Sequence, residues 1–383
     1  MTENYESLRI HGDTQVGPGE IDFAVNVHGD EPPEWLAERL RGRIRDLASY
    51  PTAADEARAR RAIATRHGLT PHPLDQHGPG TARALPLAGS AEGFHLLADH
   101  AARRGLSAAV VHPSFTEPEA ELRRAGVIVD RVILREPYAF DPELVPADAG
   151  VVVVGNPTNP TSVLHPRARI AALCRPGRVT VVDEAFCDVV ADEAGATLAG
   201  ADLPGLVVLR SVTKTWALAG LRAGYAVGDP DVLADLAAHR VHWPLGTLQL
   251  EAVTACCSDE ASTHLEGIRR GLAADREAMC EALDTAGIEV AVRPDAPFLL
   301  VRTPEGRDPE EFRSALRARG IAVRRCDTFP GLEPRHVRLA VRDAATVRRL
   351  VETWKDARDG ASEDSGEGAP ALPGRGDRSA EAQ

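Results

Sequence analysis

Four apolar runs, each five residues long, constrain most strongly what this chain can fold into. They are AAVVH at 108–112, VVVVG at 151–155, VTVVD at 179–183 and LVVLR at 206–210. Successive residues of a strand face opposite sides of its sheet, so runs that are apolar almost throughout predict strands buried on both faces. Helical patterns such as EGFHLLADHAARRG separate the runs. The alternation predicts an α/β fold with a three-layer, mostly parallel sheet that binds ligands beyond the carboxyl ends of its strands.

The pattern of the chain changes near residue 260. A long helix predicted at 262–287, short apolar runs and two further helices indicate a smaller α+β domain at 261–357. This domain follows a large domain at 41–260, and residues 1–40 form an extended N-terminal arm. Residues 358–383 are rich in Gly, Ser, Pro and acidic residues and have almost no apolar side chains. They are predicted to be a disordered tail, because they cannot bury enough surface to offset the entropy of ordering.

Charge and hydropathy exclude several classes of protein. The formal net charge of −13 argues against nucleic acid and anionic membrane as partners, since both require a basic surface. No apolar run approaches the roughly 18 residues of a membrane span. The first residues, MTENYESLRIHGD, have no features of a signal peptide. The six cysteines form no CxxC pair, and the 13 histidines show no metal-ligand spacing. We therefore expect a cytoplasmic protein with reduced thiols and no metal.

Lysine is almost absent from this chain. Lys214 and Lys355 are the only lysines among the 44 basic residues. Lys214 follows two hydroxyl residues and precedes an apolar segment in SVTKTWALAGLRAGY, which is unlike a solvated surface. Arginine can replace lysine wherever only positive charge matters, but it cannot provide a primary amine for covalent chemistry. The retention of Lys214 therefore indicates that its amine reacts.

The groups that follow the other predicted strands complement this amine. Asn156 and Asp183 lie at the ends of two runs, and 86–93, PLAGSAEG, is a small-residue turn that can hold a phosphate at a helix N-terminus. Pyridoxal phosphate (PLP) requires a primary amine for its aldehyde and a carboxylate for its pyridine nitrogen. Its ring hydroxyl requires a donor, and its phosphate requires amides, hydroxyls and a cation. The sequence therefore predicts a PLP site.

Three segments resemble a known family. They are SVTKTWALAGLRAGY at 211–225, NPTNPT at 156–161 and DEAF at 183–186. These segments are similar to the signatures of fold-type I, PLP-dependent aminotransferases of class I/II. Within that family the chain is most similar to histidinol-phosphate aminotransferases and to the threonine-phosphate decarboxylases of cobalamin biosynthesis. The resemblance covers residues 10–355 and implies a homodimeric enzyme.

The resemblance implies roles for individual residues. Lys214 would bind the cofactor aldehyde, Asp183 would pair with the pyridine nitrogen, and Asn156 would donate to the ring oxygen. Phe115 would stack on the ring, and Tyr50 would reach the phosphate bound by the neighbouring subunit. The other cofactor residues would hold the phosphate, namely Ser90, Ala91, Ser211, Thr213 and Arg222.

The resemblance implies substrate contacts as well. Arg338, in HVRLAVR, matches the arginine that binds a substrate carboxylate. HGDTQVGPGEIDFAVNV and VRRCDTFPGLEPRH are similar to threonine-phosphate decarboxylases, which places His11 near a substrate phosphate and Asn26 near its carboxylate. Arg324 or Arg325 would also bind a phosphate. Decarboxylation of O-phosphothreonine or a similar substrate is therefore the first expectation, and transamination of a phosphorylated amino compound is the alternative.

Three positions depart from these families. Phe186 stands where relatives often have a tyrosine, so the ring oxygen would have Asn156 as its single donor. Asp13 replaces a glycine usual in the decarboxylases, and the loop at 242–247 lacks their asparagines. Two other classes are disfavoured. A PLP-sensing regulator would need a basic DNA-binding segment, and a Rossmann enzyme would need a glycine motif between a strand and a helix.

Overall fold

The computed structural model describes Leu8 and residues 16–360. Seven strands form the central sheet: β2 (Ala84–Leu87), β3 (Ala108–His112), β4 (Val129–Ile133), β5 (Val151–Gly155), β6 (Val179–Asp183), β7 (Leu206–Ser211) and β8 (Gly224–Gly228). Their spatial order is β2-β8-β7-β6-β5-β3-β4. Of these seven strands, β8 alone runs in the direction opposite to the others. The mostly parallel sheet predicted from the apolar runs is confirmed, and all four runs are strands of it.

The sheet is covered on both faces. Val151 and Val153 of β5 belong to one apolar cluster, whereas Val152 and Val154 belong to another. The same alternation divides the residues of the other central strands between the two clusters. It follows from the period of two along a strand, and it gives the domain its three layers.

Among the described residues, eight α-helices precede residue 257 and form or flank those layers. They are α1 (Glu34–Gly42), α2 (Ala53–His67), α3 (Ser90–Arg103), α4 (Glu117–Arg124), α5 (Arg167–Ala171), α6 (Glu193–Ala196), α7 (Pro230–Ala238) and α8 (Thr247–Cys256). Local sequence fixes several of their ends. A capping box between Thr52 and Asp55 begins α2, and Gly68 ends it in the left-handed conformation, at φ 57°.

The C-terminal part contains α9 (Asp259–Thr285), β9 (Phe298–Arg302), α10 (Pro309–Ala318), β10 (Ile321–Ala322), β11 (Arg324–Arg325), β12 (His336–Ala340) and α11 (Ala344–Asp359). Strands β11, β12 and β9 form an antiparallel sheet in that order. The N-terminal arm joins this part of the molecule, because β1 (Ile21–Asp22) pairs in parallel with β10. Segments from the two ends of the chain therefore lie side by side. His11, Asp13 and the predicted tail beyond residue 360 lie outside the described residues.

Candidate active site

A cavity of about 520 Å³ lies beyond the carboxyl ends of β6 and β7, where the C-terminal sheet and the N-terminal arm face the large domain. This is where an open parallel sheet is expected to bind its ligand. Eleven residues that the sequence singled out line it: Asn26, Ser90, Ala91, Phe115, Asp183, Ser211, Thr213, Lys214, Arg222, Arg324 and Arg338. The fold therefore gathers most of the predicted site into one place.

Asp183 and Lys214 provide the opposite charges on the floor of the cavity. Asp183 ends β6, and its carboxylate accepts a hydrogen bond of 3.1 Å from the backbone N–H of Ala185. Burial raises the pKa of Asp183 to about 6, although the Ala185 N–H and the charge of Lys214 both favour the ionised form. A second cation beside Asp183, such as a protonated pyridine nitrogen, would favour ionisation further. Lys355, the other lysine, is exposed on α11.

Backbone and hydroxyl groups form an anion cradle at the start of α3. Ser90 and Ala91 occupy the first turn of this 14-residue helix, whose unpaired N–H groups attract negative charge. On the neighbouring strand end, the hydroxyls of Ser211 and Thr213 are hydrogen-bonded to each other at 2.7 Å. Arg222 completes the group as a cation and has a left-handed backbone, at φ 56°. The cradle matches the charge and hydrogen-bonding needs of a phosphate.

Two glycines allow the cradle to close. A Cβ at Gly89 would lie 3.1 Å from Nη2 of Arg222, so a side chain there would compete for the space of the guanidinium. A Cβ at Gly224 would lie 3.0 Å from the backbone nitrogen of Ser90. Both contacts are tighter than an ordinary van der Waals approach. The absence of side chains at these positions therefore sets the spacing between α3, β8 and Arg222.

The structure corrects the assignment of Asn156 as the donor to the ring oxygen. Asn156 is fully buried outside the cavity lining, and its amide is used by the backbone of His165. Its Oδ1 accepts from the His165 N–H at 2.7 Å, and its Nδ2 donates to the His165 carbonyl at 3.3 Å. Asn159, the second asparagine of NPTNPT, lines the cavity instead. The repeated Asn-Pro in the motif offered both candidates, and the turn places only the second in the cavity.

Arg338 joins the N-terminal arm to the turn that follows β5 at one side of the cavity. It is buried, and it donates through Nη1 to Oδ1 of Asn159 and through Nη2 to the carbonyl of Ala24. With its side-chain oxygen turned towards Arg338, Asn26 accepts hydrogen bonds of 3.2 Å from Nε and Nη1 of that arginine. Since Arg338 occupies Oδ1 of Asn159, the Nδ2 group of that amide is the one left to donate to a ligand. Burial, reinforced by the charge of Arg324, lowers the pKa of Arg338 to about 9, and a bound anion would raise that pKa by favouring the charged guanidinium.

The structure separates the two arginines that the sequence left as alternatives. Arg324 and Arg338 are cross-strand partners in β11 and β12, and both line the cavity. Arg325 is not part of the cavity lining, and its guanidinium pairs with Asp327 and lies 3.8 Å from Glu310. Successive residues of a strand face opposite sides, so only one of the pair can face the ligand. That one is Arg324.

The aromatic residues have different surroundings. Phe115 and Phe186 line the cavity, and Phe186 packs edge-on against Phe298 with ring centroids 5.0 Å apart. Tyr50 does not line the cavity of its own chain. It is 72% exposed and stacks on Trp243, with ring centroids 4.5 Å apart. Phe329, which the sequence analysis did not select, also lines the cavity. It lies in the segment VRRCDTFPGLEPRH that is similar to the decarboxylases, but that resemblance implies no role for this residue.

Taken together, the donors fit PLP and its phosphate. Ser90, Ala91, Ser211, Thr213 and Arg222 would hold the phosphate, while Asp183 would face the pyridine nitrogen and Lys214 the aldehyde. A Cβ at Gly89 would crowd the Arg222 guanidinium, so the glycine leaves that cation its place in the cradle. The fold and this donor set define a PLP-binding enzyme of fold type I.

The chain belongs to the family described as aminotransferase class I and II, whose profile matches residues 18–353. Its cofactor is therefore PLP. A Mycobacterium bovis protein named histidinol-phosphate aminotransferase is 49% identical over 341 residues, which cover 89% of each chain. The threonine-phosphate decarboxylase of Salmonella typhimurium is 27% identical over 349 residues, covering 88% of this chain and 90% of that protein.

A solved structure has the same fold. The histidinol-phosphate aminotransferase of Clostridium acetobutylicum matches with a TM-score of 0.78 at 23% identity, covering 89% of this chain and 99% of that one.

Within residues 16–360, no helix is both long and apolar enough to cross a membrane. The same part of the chain contains no group of three or more His, Cys, Asp or Glu residues arranged to hold a metal ion.

Proposed function

We propose that this protein is an aminotransferase that acts on a phosphorylated amino compound of the histidinol-phosphate kind. The observation that carries the proposal is the pair of buried arginines, Arg324 and Arg338, which line the same cavity as the anion cradle. Two guanidinium groups can bind a substrate phosphate with charge-assisted hydrogen bonds, so Arg338 would bind the phosphate here rather than the carboxylate that the resemblance implied. The 49% identical mycobacterial relative, named for this activity, supports transamination over the decarboxylation expected first from the sequence.

The chain's own residues have defined tasks in this proposal. PLP supplies an electron-withdrawing ring that stabilises negative charge at the substrate carbon bearing the amino group. With PLP bound, Asp183 would hold the proton on the pyridine nitrogen, and Asn159 Nδ2 would orient the ring by donating to its oxygen. The Lys214 amine would take the proton from the substrate carbon and deliver it to the cofactor carbon that carries the aldehyde. Arg324 and Arg338 hold the anionic end of the substrate and so fix the carbon near Lys214.

The test compares two reactions in the PLP-loaded enzyme. Histidinol phosphate is supplied with 2-oxoglutarate, and transfer of the amino group is followed by the glutamate formed. O-phosphothreonine is supplied separately, and CO₂ release is followed. We expect glutamate formation that is lost in Lys214→Ala and weakened in Arg324→Gln. The absence of glutamate formation by the wild-type protein would contradict the proposal.

Decarboxylation of a phosphorylated amino acid is the second candidate. The Salmonella relative named for that reaction aligns with most of this chain. Asn26 and Phe329, from the two segments similar to the decarboxylases, both line the cavity. Stoichiometric CO₂ release from O-phosphothreonine without amino transfer would favour this candidate.

We also propose that the protein is a homodimer. Five large apolar side chains are more than half exposed on the segments around Tyr50 and Trp243, and they are Ile44, Leu47, Tyr50, Val241 and Trp243. An exposed apolar patch of this kind marks a protein interface, and a second copy would bring Tyr50 towards the neighbouring phosphate cradle. Analytical ultracentrifugation should show a dimer that Trp243→Glu dissociates. A monomeric wild-type protein would overturn this proposal.

A further inference from the structure

Residues 326–332 form a turn between β11 and β12, called here the 326–332 turn. Two of its side chains hold Arg324 in place. Nη2 of Arg324 donates to the hydroxyl of Thr328 at 2.9 Å, and its Cζ lies 4.9 Å from the ring centroid of Phe329. Arg324, Thr328 and Phe329 are all buried. The direction of the Arg324 guanidinium therefore depends on where this turn lies.

The same turn touches the large domain through Gly331. This residue has φ 90°, a conformation that side chains rarely adopt. A Cβ added at Gly331 would lie 2.8 Å from Cγ2 of Ile133, at the end of β4, and 3.5 Å from Cγ of Pro113. Pro113 follows β3 and lies two residues before Phe115, which lines the cavity. Two segments that form the cavity wall thus meet at a residue with no side chain.

We propose that Gly331 is a positioning residue for substrate recognition. Its missing side chain lets the 326–332 turn rest against Ile133 and Pro113, and that contact holds Arg324 and Phe329 over the substrate end of the cavity. The inference rests on the proposed function in one respect, that Arg324 binds the anionic end of the substrate. It assigns Gly331 no contact with substrate or cofactor.

A side chain at residue 331 should therefore weaken substrate binding indirectly, by moving the turn that holds Arg324. Ile133 is β-branched and stiff, so the turn rather than the isoleucine is expected to move when a Cβ is added. Displacing Arg324 would weaken a charge-assisted hydrogen bond to the substrate. The cofactor groups should not respond, because Asp183, Ser211 and Ser90 are on strands and a helix of the large domain, and Lys214 lies in the turn that follows β7.

The chain provides a matched control for the strain of a left-handed alanine. Gly306 has φ 74°, lies in the same C-terminal domain, and has no heavy atom within 4 Å of a built Cβ. Gly331→Ala and Gly306→Ala therefore both place an alanine in a left-handed backbone. Only the new Cβ at residue 331 would contact the large domain. A third variant, Gly331→Ala with Ile133→Ala, removes the closest atom that the new Cβ would meet.

The experiment measures KM and kcat for histidinol phosphate, the Kd of inorganic phosphate for the PLP-loaded enzyme, and its visible absorption band. We expect Gly331→Ala to raise KM and the phosphate Kd roughly tenfold, as for one weakened charge-assisted hydrogen bond. Its kcat and absorption band should match those of Gly306→Ala. The added Ile133→Ala should restore most of the lost affinity.

Equal KM and phosphate Kd in Gly331→Ala and Gly306→Ala would overturn the inference, as would a failure of Ile133→Ala to restore affinity. The proposed function fails separately. If the wild-type enzyme transfers no amino group but Gly331→Ala still weakens phosphate binding, the inference stands and the proposed reaction does not. If transamination occurs and KM is equal in both alanine variants, the proposed reaction stands and the positioning role of Gly331 does not.

Discussion

The two ends of the cavity are constructed in different ways. At the cofactor end, Asp183 and Ser211 are the last residues of adjacent parallel strands, and Ser90 is the first residue of a helix. At the substrate end, Arg338 is held by Ala24 and Asn159, which lie 314 and 179 residues away along the chain. The first end is assembled by local strand and helix ends within one domain. The second depends on three distant segments meeting, so it should tolerate less displacement of the C-terminal domain.

The largest expected effect is at the cofactor end. Lys214→Ala should abolish amino transfer and remove the visible absorption band that borohydride bleaches, because no other lysine lines the cavity in residues 16–360. Lys214→Arg should be equally inactive, since arginine retains the charge but not the primary amine. Lys355→Ala, on the exposed face of α11, serves as the control and should retain activity. A bleachable band in Lys214→Arg would contradict the assignment.

The next largest effect is expected at Asp183, where one substitution should lower activity but raise stability. Asp183→Asn should lower kcat by roughly 10²–10³, the scale for removing one preorganised electrostatic group from an active site. In the cofactor-free protein the same change should be stabilising. Because burial raises the pKa of Asp183 from 3.8 to about 6, the folded state binds this proton more tightly than the unfolded state does.

The wild-type free energy of unfolding should therefore fall relative to that of Asp183→Asn as the pH rises through the interval between those two values. Above it the full difference, about 3 kcal/mol, should be present. Urea unfolding of both cofactor-free proteins near pH 4 and near pH 8 measures it. A wild-type protein that gains stability relative to the variant over this interval would contradict the raised pKa.

A third comparison tests the substrate end with adjacent residues. Arg324→Gln should raise KM for the phosphorylated substrate about 10- to 100-fold, the range for a lost hydrogen bond to a charged group. Arg325→Gln should change KM little, because its guanidinium pairs with Asp327 outside the cavity. Steady-state kinetics of the two variants suffice. A larger effect from Arg325→Gln would show that the strand presents the opposite face to the ligand.

The smallest effect concerns the ring oxygen of the cofactor. Phe186 has no hydroxyl to donate to the ring oxygen. Asn159, in place of the predicted Asn156, is therefore the expected donor to that oxygen. Phe186→Tyr should add a donor to the anionic form of that oxygen, lowering the midpoint of the visible-band pH titration by roughly one pH unit. Phe115→Tyr, expected to stack on the ring face, is the control. An unchanged or higher midpoint in Phe186→Tyr would contradict this explanation.

The parts of the site that could be predicted from the sequence are those whose chemistry is a property of a short segment. The strand-ending Asp183 and the lysine retained in an arginine-rich chain are properties of short segments, and the structure places both residues in the cavity. Asn156 could not be distinguished from Asn159 in this way, since both precede proline in the same turn. The choice between Arg324 and Arg325 likewise required the orientation of β11 relative to β12. Phe329 and Gly331 lie in a segment similar to the decarboxylases, but the segment does not indicate their roles, because these depend on where the 326–332 turn lies relative to the large domain.

The buried parallel sheet, the reactive amine and the chemistry of the cofactor could all be predicted from the amino-acid sequence. These follow from apolar periodicity and from functional groups that no other side chain can supply. The packing of distant segments was needed to show which asparagine and which arginine line the cavity, and that Gly331 lies against Ile133. These outcomes depend on the direction of side chains and on differences of a few tenths of an ångström in the distances between distant segments. A pattern along the chain does not contain those distances.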